Sequence, residues 1–376
     1  MRPILTALEN GAGAGTGDPE RGCHHRGTDS HSGTDCPRQA KAGEPQEAQV
    51  RLDDIGFYTM TDARCELASA ASPLARCELV LTARCNFRCP YCRHVGGSDL
   101  PKDRALGTIA AWSLDRLQNL RLSGGEPTLW GGGPDDLVDL VECARELGVG
   151  RVAISTNGSA SIEAYAQLID AGADDFSVSL DACCAEDGDR MVGGDKGSWE
   201  KVVENIRQLA AWTYTTVGVV LTEDNEPKCR EIVQFADSLG VADIRVIPAA
   251  QRGTTLKVSS LPPEILAKHP ILRYRWDNLS QGRPVRGLAP GDATRCHLVL
   301  DDMSVMGGMH YPCIIHMREG GDPIGKAGTR LVRAERAEWS RTHQVQLDPI
   351  CSRNCLDVCV DYNNRYERLH LPKEGR

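Results

Sequence analysis

Six short apolar segments between residues 78 and 248 constrain the fold more than any other feature of the sequence. Each is followed by a longer stretch whose apolar residues recur at three- and four-residue steps, the spacing of an amphipathic helix. Strands that alternate with helices pair in parallel through right-handed crossovers. Six units are too few for a closed eight-stranded barrel, so the pattern predicts an α/β fold with a partial (βα)6 barrel or an open parallel sheet. The segments are residues 78–83, 119–124, 151–156, 175–180, 216–221 and 243–248.

Unusual loops follow the first four predicted strands. A cysteine-rich loop follows the first strand, and SGGEP (123–127), STNG (155–158) and SLDA (179–182) follow the next three. In parallel α/β sheets the loops at the carboxyl ends of the strands carry binding and catalytic residues. We therefore expect all four loops to meet at one edge of the sheet.

The first of these loops contains Cys85, Cys89 and Cys92 in a C-x3-C-x2-C pattern. Compact cysteine runs on a loop are typical of iron-sulfur ligation. Three thiolates leave one iron of a four-iron cluster without a protein ligand, and an open iron can bind a substrate or cofactor. The alternative interpretation is a zinc site that His94 completes.

The composition favours a metal or redox use of the cysteines. The length of 376 residues suits about two domains, and 41% apolar residues allow a sizeable core. The net charge of −9 and the pI near 5.6 argue against a nucleic-acid partner. The sequence shows neither a membrane-spanning segment nor a signal peptide, which predicts a cytoplasmic protein with no membrane partner. In a reducing compartment, sixteen cysteines are better explained by metal ligation than by disulfides.

Taken together, these motifs resemble the radical S-adenosylmethionine (SAM) superfamily over residues 78 to about 250. The resemblance rests on C-x3-C-x2-C after the first strand, Tyr91 before the last cysteine, and GGEP after the second strand. It implies that Cys85, Cys89 and Cys92 ligate a [4Fe-4S] cluster whose open iron binds the amino and carboxylate groups of SAM. It further implies an oxidoreductase-type enzyme in which an electron donor such as flavodoxin or ferredoxin reduces the cluster. Cleavage of SAM then gives methionine and a 5′-deoxyadenosyl radical.

The resemblance also implies a set of SAM-binding residues. Tyr91 is expected beside the adenine. The strip 124–126 is expected to receive the methionine amino group, with the Glu126 carboxylate as the acceptor for an ammonium and Pro127 shaping the turn. The whole implied set is Tyr91, Gly124, Gly125, Glu126, Pro127, Asn157, Ser179, Asp181 and Arg190.

Residues in the later loops complete this set. Ser179 and Asp181 match residues on the ribose side of the cofactor, and Asn157 belongs to the same rim. Arg190 lies in DRMVGGDKGSWEKVVENI, which resembles a family segment that makes it a candidate for the cofactor carboxylate. The alternative for Arg190 is an ordinary surface arginine.

A second cysteine group follows residue 290. Its first part, C-x11-G-x4-C with Gly308 as the glycine, resembles the start of the auxiliary-cluster extensions called twitch and SPASM domains. Five cysteines suit one auxiliary [4Fe-4S] cluster with four ligands, and a structural zinc site is the alternative. The expected ligands are the first three cysteines with either of the last two as the fourth; the spare thiol is a hydrogen-atom donor or a buried thiol. The group is Cys296, Cys313, Cys351, Cys355 and Cys359. A helix over 351–359 would place the last three near one face.

These patterns divide the chain into four parts. Residues 1–75 predict a disordered or irregular extension, 76–255 the radical SAM partial barrel, 256–290 a connecting segment, and 291–376 the twitch/SPASM-like domain.

The expected substrate is a small polar metabolite of the sugar, aminocyclitol or nucleoside type in natural-product or antibiotic biosynthesis. Its radical could be oxidised, epimerised or decarboxylated, and Arg252, His310 and His316 are candidate contacts. The pterin-forming members of the family are disfavoured because their C-terminal cysteines are spaced differently and their chains end in Gly-Gly, whereas this sequence ends LPKEGR. A peptide-modifying radical enzyme and a non-catalytic zinc-binding scaffold are the alternatives.

Overall fold

The six predicted strands pair in chain order in the computed structural model, which describes residues 64–93, 96–250 and 260–370. Every neighbouring pair from β1 to β6 is parallel, and the described sheet does not close on itself. The predicted α/β fold with a partial barrel is therefore confirmed. Strands β1 to β6 are Arg76–Val80, Asn119–Ser123, Arg151–Thr156, Asp175–Ser179, Tyr214–Leu221 and Asp243–Pro248.

Helices connect the strands and cover one face of the sheet. The helix Ile162–Asp170 begins where the Ser161 hydroxyl accepts a hydrogen bond from the backbone N–H of Ala164, and the helix Ala185–Val192 is followed by Gly193 in a left-handed conformation. Within the described ranges, no helix has the length and apolar character needed to cross a membrane. Helices α1 to α13 are Arg64–Leu67, Lys102–Ser113, Pro134–Glu146, Ile162–Asp170, Ala185–Val192, Ser198–Trp212, Cys229–Ser238, Pro263–Lys268, Pro270–Ser280, Ile314–Arg318, Val332–Thr342, Cys351–Asn354 and Asp357–His370.

Alternation along the strands gives the sheet one apolar and one polar face. On β2, Leu120 and Leu122 are buried in the main hydrophobic core, while the intervening Arg121 lines a cavity on the opposite face. The same alternation on β3 buries Ile154 and turns Ser155 toward the cavity. Each aliphatic side chain buried on the helix-covered face contributes about 1.5–3 kcal/mol to stability. Since that face supplies the hydrophobic stabilisation, the cavity face can carry polar groups.

A seventh parallel strand, β7 (Asp302–Met306), extends the sheet beyond β1. It continues as an antiparallel hairpin into β8 (Met309–Tyr311), which pairs with β9 (Gly325–Lys326). Gly307 and Gly308 form the hairpin turn with φ values of +58° and +79°. The turn therefore favours glycine at Gly308, the glycine of C-x11-G-x4-C, because residues with side chains rarely adopt positive φ. The sheet thus runs across the boundary predicted at residues 256–290, and the four-part domain division stays a prediction.

The last three cysteines do not share one helix, so the condition under which helical spacing would align them is not met. Helix α12 ends at Asn354, Cys355 has an extended ψ of 131°, and α13 begins at Asp357. The Cys355 carbonyl accepts a hydrogen bond from Gly287, and the Asp357 N–H donates to Val285. Pairing with residues 285–287 therefore breaks the helix between Cys351 and Cys359.

Candidate active site and auxiliary cysteine pocket

The three cysteines of the first loop lie on the wall of a cavity of about 560 Å³ at the carboxyl edge of the sheet. The loop leaves β1 at Thr82, whose hydroxyl donates to Asp99 (2.5 Å) and accepts the backbone N–H of Arg84 (3.0 Å). All three cysteines are partly exposed and free. Burial nevertheless raises the pKa of Cys89 to about 11, and a bound metal reverses such a shift because it favours the thiolate.

Backbone hydrogen bonds attach the GGEP loop to the cysteine loop, and two glycines allow the loops to approach this closely. The N–H of Gly125 donates to the Thr82 carbonyl, and the N–H of Glu126 donates to the Arg84 carbonyl, both at 2.7 Å. A Cβ at Gly124 would lie 2.7 Å from the Thr82 oxygen, and one at Gly125 would lie equally close to Ala83 and closer still to Arg84. Only glycine allows this approach, and both glycines line the cavity.

The Glu126 side chain does not take the place that the resemblance implied. It is fully buried, and its carboxylate accepts hydrogen bonds from Thr128, the Thr156 hydroxyl (2.8 Å) and the Asn157 N–H (2.7 Å). It is absent from the described cavity wall, as is Pro127. The carboxylate therefore ties the GGEP loop to the STNG loop instead of facing a ligand.

The STNG and SLDA loops meet the cysteine loop as the sequence predicted. Asn157 donates from Nδ2 to Asn86 (2.9 Å) and to the Cys85 Sγ at 3.7 Å. The Tyr91 hydroxyl donates to Asp181, whose other oxygen accepts the N–H of Val220 at 2.6 Å. Burial raises the pKa of Asp181 to about 6. Ser179 lies on the same wall, so all four loops converge on one cavity.

Arg190 lies outside this convergence. Its side chain is 58% exposed and pairs with Asp187 at 2.7 Å, three residues earlier on the same helix. It is not among the described residues that line the cavity. The structure therefore corrects the cofactor-carboxylate prediction in favour of the surface-arginine alternative.

An arginine-rich wall of the cavity was not predicted from the sequence. Among the described residues, eight arginines and three acidic residues line the cavity, and the acidic ones are Glu78, Asp181 and Asp302. The arginines are Arg76, Arg93, Arg121, Arg151, Arg245, Arg275, Arg286 and Arg318. The signal was present in NLRLS and DIRVIP, where an arginine interrupts a β-like run at the position that faces away from the helices.

Four of these arginines hydrogen-bond to neutral oxygens. Arg121 donates to Ser155 at 3.0 Å, and Arg245 donates to Ser177 and to Thr216 (2.6 Å). The other two, Arg286 and Arg318, donate to backbone carbonyls. Burial lowers the pKa of Arg245 only to about 10, so it stays protonated at neutral pH. The cavity wall is therefore cationic.

The five C-terminal cysteines line a second, smaller cavity together. Cys313 and Cys359 also line the first cavity, so these two residues form part of the wall between the two. Burial raises the pKa of Cys296 to about 11, and the Asn363 amide lies 3.7 Å from its Sγ. The fold thus collects into one pocket five thiols that the sequence spreads over residues 296–359.

The candidate substrate contacts from the sequence do not meet in the first cavity. Arg252 lies outside the described residues. His310 is fully buried, with Nε2 2.9 Å from Glu335 and Nδ1 3.2 Å from Arg336. His316 lines the second cavity. Neither histidine is on the described wall of the first cavity, and the buried His310 agrees with the alternative that such a residue belongs to the core.

A parallel sheet whose carboxyl edge brings C-x3-C-x2-C and GGEP loops to one cavity defines the class of radical SAM enzymes. Residues 79–236 match the family model of the Radical SAM superfamily. These residues therefore form a radical SAM superfamily domain. The superfamily implies a [4Fe-4S] cluster and SAM as cofactors.

Curated relatives match about half of the chain. A probable GTP 3′,8-cyclase of Metallosphaera sedula is 27% identical over 183 residues, which cover 46% of this chain and 56% of the relative. The corresponding protein of Saccharolobus solfataricus is 28% identical over 182 residues, 46% of this chain and 57% of its own. The chain thus spans a little over half the length of these relatives.

Solved structures support the fold over a larger part of the chain. Native anSMEcpe with bound AdoMet superimposes with a TM-score of 0.52 at 14% identity, covering 78% of this chain and 96% of that one. Streptococcus suis SuiB bound to S-adenosylmethionine gives a TM-score of 0.51 at 14% identity, covering 75% and 67%.

Proposed function

We propose that the protein is a radical SAM enzyme that removes a hydrogen atom from a small polar metabolite. The observation that carries the proposal is the convergence of three thiols, two glycines and the Tyr91–Asp181 pair on one cavity. When bound there, the [4Fe-4S] cluster and SAM supply a 5′-deoxyadenosyl radical. The radical SAM match over residues 79–236 supports the same chemistry.

The residues of this cavity have separate roles in the proposal. Cys85, Cys89 and Cys92 hold the cluster as thiolates, and the Asn157 amide stabilises the first of them through its hydrogen bond to sulfur. Gly124 and Gly125 keep the cavity wall free of side chains where the amino-acid part of SAM is expected. Asp181 and Ser179 offer oxygen acceptors for ribose hydroxyls, and Tyr91 holds the Asp181 carboxylate in place.

Iron content and SAM cleavage test this proposal. Anaerobically purified protein is expected to contain at least about four irons per chain and to form 5′-deoxyadenosine when a reduced flavodoxin, a ferredoxin or dithionite supplies electrons. Fewer irons, with zinc in both cysteine groups, would instead establish the zinc-scaffold alternative.

We assign a twitch/SPASM-like auxiliary [4Fe-4S] cluster to the second cavity. Its support is the collection of five thiols around one pocket, one more than such a cluster needs. Because Cys313 and Cys359 face both cavities, a cluster bound there would lie next to the substrate space. An electron from a substrate radical would then have a short route, which favours an oxidative outcome over epimerisation or decarboxylation.

The cationic wall supports a substrate with an anionic group, such as a phosphorylated nucleoside or sugar. Arg121 and Arg245 lie on β2 and β6 and face the cavity, and their hydrogen-bond acceptors among the described residues are neutral hydroxyl groups. Guanidinium groups bind phosphate oxygens in bidentate geometry. Curated relatives named as probable GTP 3′,8-cyclases agree with the nucleotide-type member of this substrate class.

A substrate panel tests this assignment. GTP, guanosine, an aminocyclitol phosphate and its unphosphorylated form are compared for stimulation of 5′-deoxyadenosine formation. Phosphorylated members are expected to act at concentrations roughly 10- to 100-fold lower, and Arg121→Gln or Arg245→Gln should remove most of that advantage. Equal response to guanosine and GTP would contradict the anionic anchor, and response to peptides alone would favour a peptide-modifying enzyme.

A further inference from the structure

Three non-cysteine donor groups lie beside Cys351, a residue that lines the second cavity. They are His316, His343 and Asp348, and one donor atom from each of the four residues lies within 4.8 Å of the others. The Nε2 atoms of His343 and His316 lie 2.8 and 3.4 Å from the same Asp348 oxygen, Oδ2. The edges of a tetrahedron around zinc, with bonds of about 2.0–2.3 Å, are about 3.3–3.7 Å long. The two imidazoles and the carboxylate therefore already stand close to metal-ligand spacing.

The neighbouring residues fix the two histidine rings. The His343 ring stacks on Trp339, with centroids 4.1 Å apart and planes at 15°. The His316 ring lies against Gly321, where a Cβ would be 2.8 Å from Nε2 and closer still to other ring atoms. The His316 side chain is only 6% exposed. The rings are thus held by packing and do not need a metal to orient them.

Backbone groups fix the carboxylate. The Oδ1 atom of Asp348 accepts the N–H groups of Ile350 (2.7 Å) and Cys351 (2.9 Å). This leaves Oδ2 turned toward the imidazoles. The same turn places Cys351 at the start of helix α12, within reach of the group.

The number of cysteines around the second cavity suggests a role for Cys351 outside the cluster. One four-iron cluster needs four thiolates, so one of the five cysteines around the second cavity is surplus. Among the described cysteines, Cys351 is the one grouped with two histidines and a carboxylate. If it ligates a different metal, Cys296, Cys313, Cys355 and Cys359 make a complete ligand set. This division differs from the sequence expectation, which counted Cys351 among the cluster ligands.

We propose that His316, His343, Asp348 and Cys351 bind one zinc ion in a closed tetrahedral site, and that the other four cysteines hold the auxiliary cluster. Two imidazoles, one carboxylate and one thiolate form a donor set that suits zinc. The ion joins helix α10, the end of α11 and the start of α12, three segments that surround the second cavity. Only the second half of this proposal, the ligand set of the cluster, rests on the proposed function.

Metal analysis of the full chain, purified and reconstituted anaerobically, tests the zinc site. About one zinc and about eight irons per chain are expected. His343→Ala and Cys351→Ser should each lose the zinc and keep all the iron, whereas Cys296→Ser should lose about four irons and keep the zinc. His370→Ala, a histidine outside the group, is the matched control and should keep both metals. Cobalt added to the zinc-free protein should give visible bands typical of thiolate coordination.

Two results would overturn the proposal. A protein with a full complement of iron and no zinc would show that the histidines and Asp348 merely hydrogen-bond to each other. Loss of about four irons from Cys351→Ser would make Cys351 a cluster ligand. Since zinc and iron are counted separately, a protein without iron at Cys85, Cys89 and Cys92 would contradict the radical SAM function and leave the zinc result intact.

Discussion

The two cysteine groups are built in opposite ways. Cys85, Cys89 and Cys92 come from one loop that backbone hydrogen bonds fasten to the neighbouring GGEP loop. The second group comes from residues spread over 296–359 and meets only because a hairpin, two helices and a broken turn pack around one pocket. The first group is a local motif that the loops of the sheet edge present, and the second is a product of tertiary packing. Changes in one should therefore leave the other intact.

The largest expected effect separates the two groups by function. Cys85→Ala should remove about four irons and reduce 5′-deoxyadenosine formation below detection, because the cluster loses one of its three ligands. Cys313→Ser should also remove about four irons but leave cleavage of SAM in place. Iron analysis and chromatography of the products check both. Cys143→Ala, a half-buried thiol on helix α3, is the control; SAM cleavage that persists in Cys85→Ala would contradict the assignment.

A backbone change should separate the groups by stability. At Gly125 a methyl group would collide with the carbonyls of Ala83 and Arg84. Gly125→Ala is therefore expected to cost about 1–3 kcal/mol of unfolding free energy and to loosen the cluster at Cys85, Cys89 and Cys92 alone. Urea denaturation and iron analysis measure the two effects.

A second glycine provides the matched control for that change. Gly107 lies inside helix α2 with nothing within 4 Å of a Cβ, so Gly107→Ala should stabilise the protein by about 0.5–1 kcal/mol. Equal behaviour of the two variants would show that the close contact between the loops is unimportant.

Burial of Asp181 in the first cavity should make the free energy of unfolding depend on pH. Burial raises the folded pKa of Asp181 to about 6, above the usual carboxyl value of about 3.9. The proton is bound more tightly in the folded state, so this contribution to stability is present at low pH and is lost as pH rises from about 4 to about 6. The loss is of order 2–3 kcal/mol.

The comparison of wild type with Asp181→Asn isolates this contribution. The variant should lack this part of the pH dependence in urea titrations between about pH 4 and 7. The control is Asp187→Asn. Asp187 has a depressed pKa of about 2, so it stays charged throughout this pH range. Identical pH profiles for wild type and Asp181→Asn would contradict the role of burial.

The smallest effect concerns the residue that the structure removed from the site. Because Arg190 is exposed and forms its ion pair with Asp187 on its own helix, Arg190→Ala should change stability by less than about 1 kcal/mol and SAM cleavage by less than about two-fold. A ten-fold higher KM for SAM in steady-state kinetics would instead support a role for Arg190 in cofactor binding.

What the sequence predicted correctly was local. Apolar strand patterns gave the position of β2 within one residue and those of β3 and β6 without change, and the strand-end rule predicted where the four loops meet. β1 begins two residues earlier than expected and ends at Val80, because Thr82 leaves the sheet to bond with Asp99.

The errors arose where distant residues decide. The Glu126 carboxylate was expected to face a ligand because the short GGEP motif does not show what surrounds it. In the fold, the carboxylate accepts hydrogen bonds from the buried hydroxyls of Thr128 and Thr156. Strand β7 was missed because DMSVM is only five residues long and its place in the sheet depends on pairing with β1. The cationic wall was missed because a single arginine in a strand does not indicate a charged surface. The charge becomes concentrated only when the sheet places arginines from different strands in the same cavity.

The parallel pairing of β7 with β1 has a consequence for how the protein can be made. Arg76 is aligned with Asp302, so the strand that carries the cysteine loop gains its second neighbour only after more than two hundred further residues have been synthesised. Until then, β1 presents a row of unpaired backbone groups, the condition under which sheets join wrong partners. A chain cut after residue 250 would keep every radical SAM motif and lose this protection, so we expect it to aggregate on expression rather than act as a minimal enzyme.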